Sequence, residues 1–372
     1  MYCRIFVPIF FCALFVPTPA TAGDDSQWLS QIKLPPGFHI ALYTDKTPNA
    51  RSMALGDDGT VYVGTMSEGK VYAVRDNDRD GRADQVLTLA SGLNAPNGVA
   101  YLKGDLYVAE IERIVKLPQI AASLANPPKP QLVYGGYPSD WHHGWKYLKA
   151  GPDGKLYVPV GAPCNICKPE KDIYSSLTRL DPDGSHFEIV AHGIRNTVGF
   201  DWHPQTGQLY FNDNGRDWLG DDLPPEELNR LDKPGQHFGY PYCHAGKIAD
   251  PEFGEQRPCS DFIPPVWTYP AHVAPLGLHF YRGSQFPEAY RGQLFVAQHG
   301  SWNRSTPQGY RLAVVKFRDG QPVADEVFAD GWLELNEKVL GRPVDVLELP
   351  DGSLLVSDDR RGAIYRISYR AP

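Results

Sequence analysis

The chain has 372 residues, with 36 Lys+Arg against 44 Asp+Glu for a net charge of −8, and 42% hydrophobic and 12% aromatic residues. That balance excludes a disordered tail and a basic protein that coats nucleic acid, so no nucleic-acid partner is expected. The 36 Gly and 34 Pro are dispersed, which calls for many turns and few long helices and makes all-β the leading class.

Residues 1–22 read as an export signal: Arg4, an apolar stretch from Ile5 to Val16, then Ala20-Thr21-Ala22 as a small-residue cleavage site. The apolar stretch contains Pro8 and is too short to span a bilayer, and no later segment has the length of a membrane span. The expectation is a mature chain of residues 23–372, periplasmic or secreted, with no membrane span.

From there a turn followed by a short strand recurs. It reads Asp58-Gly59-Thr60-Val61-Tyr62-Val63, then Gly104-Asp105-Leu106-Tyr107-Val108, then Asp153-Gly154-Lys155-Leu156-Tyr157-Val158. Three more copies follow: Gly207-Gln208-Leu209-Tyr210-Phe211, Gly292-Gln293-Leu294-Phe295-Val296 and Asp351-Gly352-Ser353-Leu354-Leu355-Val356. The centres Tyr62, Tyr107, Tyr157, Tyr210, Phe295 and Leu355 are 45, 50, 53, 85 and 60 residues apart, near the period of a four-stranded propeller blade. Six copies predict a six-bladed β-propeller. The long gap marks a Pro- and Cys-rich insertion at about 221–270, read as elaborated loops of a single domain.

Within the first copy, Asp76-Asn77-Asp78-Arg79-Asp80-Gly81-Arg82-Ala83-Asp84 matches the first half of an EF-hand calcium loop, but Leu87 stands where the closing Glu belongs. An Asp-rich turn between outer strands is the competing reading. The segments leading into the innermost strands carry Arg51, Asn97, His143, Arg195 with Asn196, His272 and Arg342, one polar position per blade. Gathered on one axis, these groups form an anion-attracting pocket, because guanidinium groups bind carboxylates through paired hydrogen bonds. The loop Asn212–Asp222 is rich in oxygen donors and suits Ca²⁺, while Gln298–Arg304 places Trp302 beside cationic Arg304. Trp145 and Trp302 are candidate sugar platforms; Trp202, on an innermost strand, is assigned to the core.

Export leaves Cys164, Cys167, Cys243 and Cys259 in an oxidising compartment. The Cys164-Asn165-Ile166-Cys167 spacing is open to a redox pair or half a zinc site, but a second CxxC is missing and Lys168 stands where a haem attachment needs His. Two bridges, Cys164–Cys167 and Cys243–Cys259, are the favoured pairing. A strand–GxGxxG–helix pattern and a P-loop are both missing, which argues against nicotinamide and nucleoside triphosphates.

The runs His142-His143-Gly144-Trp145-Lys146, Gly161–Cys167, Ile194–Phe200, Asn214–Asp222, His299–Arg304 and Gly341–Val346 resemble the sorbosone dehydrogenase branch of the soluble glucose/sorbosone dehydrogenases over nearly the whole mature chain. The resemblance implies a propeller holding pyrroloquinoline quinone (PQQ) and Ca²⁺ at the top of its channel, a small sugar substrate, and an external electron acceptor such as a quinone, dye or cytochrome. It implies His143 as general base, Arg195 as the group facing the quinone oxygen, and carbonyls of Gly215 and Arg216 as calcium ligands. Arg51, Asn196, Trp302, Asn303, Arg304 and Arg342 are the expected cofactor contacts, and Asn97, Trp145 and His272 the expected substrate contacts. Here Thr197-Val198-Gly199 replaces the Pro-Gln-Gly of the glucose-oxidising branch, and the cofactor-binding Lys of that branch has no match near Gly300 or Ser301; Arg304 is the candidate replacement. Two alternatives stay open: a calcium-dependent sugar lactonase and a non-catalytic propeller that binds carbohydrate or protein.

Overall fold

The computed structural model describes residues 28–371; the expected signal segment lies outside the described residues. Apart from one parallel edge strand and one small hairpin, the sheets are antiparallel blades whose order follows the sequence. Blade one comprises Ala50–Leu55, Val61–Thr65, Val71–Arg75 and Gln85–Ala90, and blade two Gly98–Leu102, Asp105–Ala109, Ile114–Leu117 and Gln131–Tyr134. Blade three runs through Lys149–Ala150, Leu156–Val160, Ser176–Leu180 and Glu188–His192, and blade four through Phe200–Trp202, Leu209–Asp213, Glu226–Leu231 and Trp267–Tyr269. Blade five holds Pro275–Phe280, Leu294–Gln298, Arg311–Arg318 and Gln321–Ala329.

The sixth blade closes the ring. Its inner three strands, Pro343–Glu348, Leu354–Asp358 and Ala363–Tyr369, come from the C-terminal end, and its outer strand, Phe38–Thr44, from the N-terminal end. Phe38 pairs with Tyr369 and Ile40 with Ile367. The ring is therefore a six-bladed β-propeller, as the repeats predict. Among the described residues no helix is long and apolar enough to cross a membrane.

The repeated turn has a local cause. Asp58 Oδ1 accepts from Thr60 N at 3.1 Å, Asp153 Oδ1 from Lys155 N at 3.1 Å and Asp351 Oδ1 from Ser353 N at 2.9 Å. The intervening Gly59 and Gly154 sit at φ +85° and +76° with open space around them, so backbone conformation rather than room selects glycine there. The second strand of each blade that follows is sandwiched between neighbours: every residue of Leu156–Val160 and Leu354–Asp358 is buried. The core accordingly lies in wedges between blades. Tyr62, Val71 and Ala73 of blade one pack on Leu106 and Val108 of blade two, and Tyr210 and Leu228 of blade four on Phe280 and Val296 of blade five.

Residues 221–270 supply the outer two strands of blade four, a fifth strand, Gln236–His237, parallel to Glu188–His192 of blade three, and a small hairpin of Cys243–His244 with Ile248–Ala249. Both expected disulfides, Cys164–Cys167 and Cys243–Cys259, are formed.

Three innermost strands slip register at the same end, between Ala50 and Met53, Pro275 and Leu278, and Pro343 and Val346. Such bulges re-aim side chains. At these slips Asp345 Oδ2 accepts from Met53 N at 2.9 Å, which ties blade six to blade one near the axis.

Candidate active site

The segments leading into the innermost strands and the loops leaving the second strands converge on one cavity of about 510 Å³. It is lined by Arg51, His143, Trp145, Arg195, Asn196, Gly215, His272, Trp302, Asn303 and Arg342, all expected from the sequence. Its floor is apolar: Val198, Leu276 and Val344 pack together with Trp145 against them. A second cavity, of about 400 Å³, opens at the other end of the channel and shares no lining residue with the first.

His143 sits at φ +50°, and its Nδ1 lies 2.9 Å from the Ala162 carbonyl oxygen. A carbonyl only accepts, so Nδ1 carries the proton and Nε2 keeps its lone pair. Burial, then the positive charge of Arg195, holds this imidazole well below the usual histidine range. It is a neutral base at ordinary pH.

Arg195 is fixed on four sides. Its Nε donates to Asn165 O at 2.8 Å, Nη1 to Asn214 O at 3.1 Å, and Nη2 to Asn165 Oδ1 at 2.8 Å and Asp217 Oδ2 at 3.1 Å. Asp217 also accepts from Asn303 Nδ2 at 3.0 Å. Below it, Asp213 accepts the backbone N–H groups of Arg195 and Asn196 at 2.8 and 2.6 Å.

Arg51 is held by Asn97 Oδ1 at 2.7 Å and by Asp359 at 2.8 Å. Asp359 in turn meets His299 Nε2 at 3.0 Å. Burial alone would raise the Asp359 carboxyl, but His299 and Arg51 outweigh it and keep the group ionised. Burial pushes His299 down to about 4 despite this partner. Arg342 donates to the carbonyls of His299 and Gly300 at 3.1 and 2.7 Å, and among the described residues it makes no ion pair. Burial lowers its pKa as well.

Three expected residues stand elsewhere. Asn97 lies behind Arg51, its amide donating to Lys146 O at 2.8 Å, so it supports the wall without lining it. Arg304 is turned away from the cavity to the Asp221 carbonyl and the Asp222 carboxylate. The Arg216 side chain is buried against Asp250 at 2.7 Å, and only its neighbour Gly215 reaches the lining. His272, at φ +64°, lines the cavity with Nε2 2.9 Å from the Gly220 carbonyl oxygen.

Glu226, His299 and Asp359 line the cavity with no role expected from the sequence, and Asp217, inside the oxygen-rich loop Asn212–Asp222, lines it too. Asp217 and Asp359 follow second strands, so the rule that placed Asn212–Asp222 could also have reached Asp359. Their presence changes the electrostatics: two of the three arginines already face a carboxylate, and Arg342 is the cation left for a guest.

Beside Gly215, burial pushes Glu226 up to about 8, and burial also raises neighbouring Asp213 and Glu227. Glu226 accepts from Gly215 N at 2.5 Å. Buried carboxyls with too few cations around them, next to peptide carbonyls, form an oxygen donor set that a hard divalent ion would satisfy. At the rim, Trp302 is 64% and Trp218 67% exposed, their rings edge to face at 5.2 Å, and Trp141 is also exposed. Trp202 instead belongs to the core around Phe200 and Tyr157.

The Asp76–Asp84 loop lies at the opposite end of blade one. Asp76, Asp78 and Asp84 bring carboxylate oxygens within 4.8 Å of one another, and Asp76 Oδ1 is buried without a hydrogen-bond partner.

Comparison with known proteins places this geometry in a class. A family model described as TrAA12-like matches residues 32–370, and the chain belongs to that family. An uncharacterized protein of Borreliella burgdorferi is 33% identical over 355 residues, 91% of either chain. The pyrroloquinoline quinone-dependent pyranose dehydrogenase of Coprinopsis cinerea is 25% identical over 279 residues, covering 59% of this chain and 37% of that protein. The calcium structure of the Trichoderma reesei carbohydrate-active enzyme of family AA12 superposes with a TM-score of 0.80 at 20% identity, over 91% of this chain and 97% of that one. The relatives thus include PQQ-dependent sugar oxidoreductases on the same propeller.

Proposed function

We propose that the protein is a PQQ- and Ca²⁺-dependent oxidoreductase that oxidises an aldose, a pyranose or a sorbosone-like sugar, with His143 as general base. The observation that carries the reading is the neutral His143 in the cavity wall, its Nδ1 committed to Ala162 and its Nε2 left to take a proton. The names of two similar proteins support the cofactors, since one is called PQQ-dependent and the other is a calcium structure.

The residues present fit both groups. A cavity of about 510 Å³ falls within the range of small-molecule sites, and the Arg342 guanidinium suits a carboxylate of a flat acid. Trp145 and Trp302 offer aromatic planes, and Asn196 and Arg51 further donors. The Gly215 carbonyl with Glu226 and Asp217 offers the oxygen donors for Ca²⁺. When bound, PQQ would accept a hydride and Ca²⁺ would polarise the accepting carbonyl.

His143 takes the proton of the sugar hydroxyl at Nε2, and the carbinol carbon becomes a carbonyl as its hydride leaves. Arg195, rigidly held, presents positive charge where negative charge develops. His272 and the rim tryptophans orient the sugar. Residues 23–372 form one functional domain, and two disulfides with an export-type N-terminus support a periplasmic or secreted location and an external electron acceptor.

The test is reconstitution of purified apoprotein with Ca²⁺ and PQQ, followed by dye reduction over a sugar panel. Saturable uptake with sugar-dependent reduction is expected. Absence of both overturns the proposal.

A further inference from the structure

The loop 161–175 joins the second and third strands of blade three and contains no strand of its own. Within four residues of one another it carries the acceptors of both central side chains. The Ala162 carbonyl takes His143 Nδ1 at 2.9 Å, while Asn165 takes Arg195 Nε and Nη2, each at 2.8 Å, through its backbone and side-chain oxygens. Ala162 N also donates to Arg195 O at 2.8 Å. Asn165 reaches blade four as well, accepting from Asp217 N at 2.8 Å and donating to Asp217 O at 3.2 Å.

Asn165 does not line the cavity. Its shape is fixed from behind: Cys164 and Cys167 flank it with their disulfide, and Tyr240 Oη accepts from Cys167 N at 3.0 Å. A bridge across so few residues removes less entropy from the unfolded chain than a long one, about 2 kcal/mol, and its further effect is local order around Asn165.

We propose that Asn165, clamped by the Cys164–Cys167 bridge, is the positioning residue of Arg195, and that the loop 161–167 sets the spacing between Arg195 and His143. This deepens the oxidoreductase reading and rests on it for its effect on turnover.

The experiment compares full-length wild type with Asn165→Ala, Asn165→Asp and the double variant Cys164→Ser/Cys167→Ser. The first readout needs no cofactor: the rate at which phenylglyoxal modifies Arg195, followed by peptide mass spectrometry. Asn165→Ala and the double serine variant should raise that rate about 10-fold, the size expected when one or two charge-assisted hydrogen bonds are lost. Asn165→Asp keeps the side-chain acceptor for Arg195 and loses only the donor to Asp217 O, so Arg195 should react no faster than in wild type. The second readout is turnover of reconstituted protein. In Asn165→Ala, kcat should fall about 100-fold with KM little changed, because a small misplacement of a charge-stabilising group is enough. Melting temperatures should stay close to wild type in both Asn165 variants.

Unchanged Arg195 reactivity in Asn165→Ala overturns the proposal, as does equal loss in Asn165→Asp and Asn165→Ala. If wild type takes up no PQQ, the oxidoreductase reading fails, while the reactivity data still decide whether Asn165 holds Arg195.

Discussion

The Ala162 carbonyl oxygen lies 2.9 Å from His143 Nδ1, and that contact leaves Nε2 as the imidazole nitrogen with a free lone pair. With Nδ1 donating, proton uptake falls to Nε2.

Turnover should therefore require the neutral imidazole. His143 is held well below the usual histidine range by burial and by Arg195, so the acid limb of kcat/KM should lie below pH 6.5. The sign for stability follows. Below pH 6.5 the unfolded chain binds a proton at His143 that the folded chain refuses, so this residue's contribution to stability is lost as pH falls from 6.5 toward the folded value. His143→Ala should abolish turnover and spare PQQ uptake. A pH–rate profile and a quinone titration check both.

A Cβ on Gly161 would lie 2.5 Å from His143 Cβ and 2.9 Å from its carbonyl oxygen. Gly161→Ala should displace the imidazole and reduce kcat about 100-fold, and should lower the melting temperature as well, because the clash is with Cβ and backbone rather than with a flexible side-chain end. Steady-state kinetics beside calorimetry will show whether the two effects separate.

Arg342 is the cavity arginine without an ion pair among the described residues. Replacing it with Met removes a charged donor worth about 1.5–3 kcal/mol to a carboxylate, so PQQ affinity should fall at least about 10-fold. Quenching of tryptophan fluorescence by added PQQ gives the dissociation constants.

Ring closure depends on an aromatic anchor. Phe38 packs edge to face on Phe286, Phe328 and Tyr290, with centroids 4.8, 4.9 and 5.2 Å away. Phe38→Ala should cost about 3–5 kcal/mol and loosen the closing strand first. Hydrogen exchange at Phe38–Thr44 would reveal that order.

Cys243 and Cys259 close a loop with a sequence separation of 16. Replacing both with Ser should cost about 3 kcal/mol in chemical unfolding. The contrast with the short Cys164–Cys167 bridge is itself a check on the loop argument.

Much of this architecture was legible because each blade repeats one local device, an Asp or Gly turn feeding a fully buried strand, and a local device leaves a local signature. The closing strand left none. Phe38–Thr44 pairs with Ala363–Tyr369 at the far end of the chain, and nothing within its own sequence announces that partner. The site divides the same way. Arg51, His143, Arg195 and Arg342 fall at equivalent points of the repeat, and the structure places all four in the cavity wall. Asp359 and Asp217, which neutralise two of those arginines, act across sequence separations of 308 and 22 residues that periodicity does not link. Arg304 was misplaced for a similar reason: its preference for the Asp221 carbonyl and Asp222 is settled by how two loops meet.

The apolar layer of Val198, Leu276 and Val344 lies beneath the cavity, with Trp145 packed against it. On the proposed reading, sugar and electron carrier act in turn at the one cavity, each waiting for the other to leave. Initial-rate plots with both varied should then give parallel lines, the mark of a ping-pong order imposed by a shared site rather than by affinity.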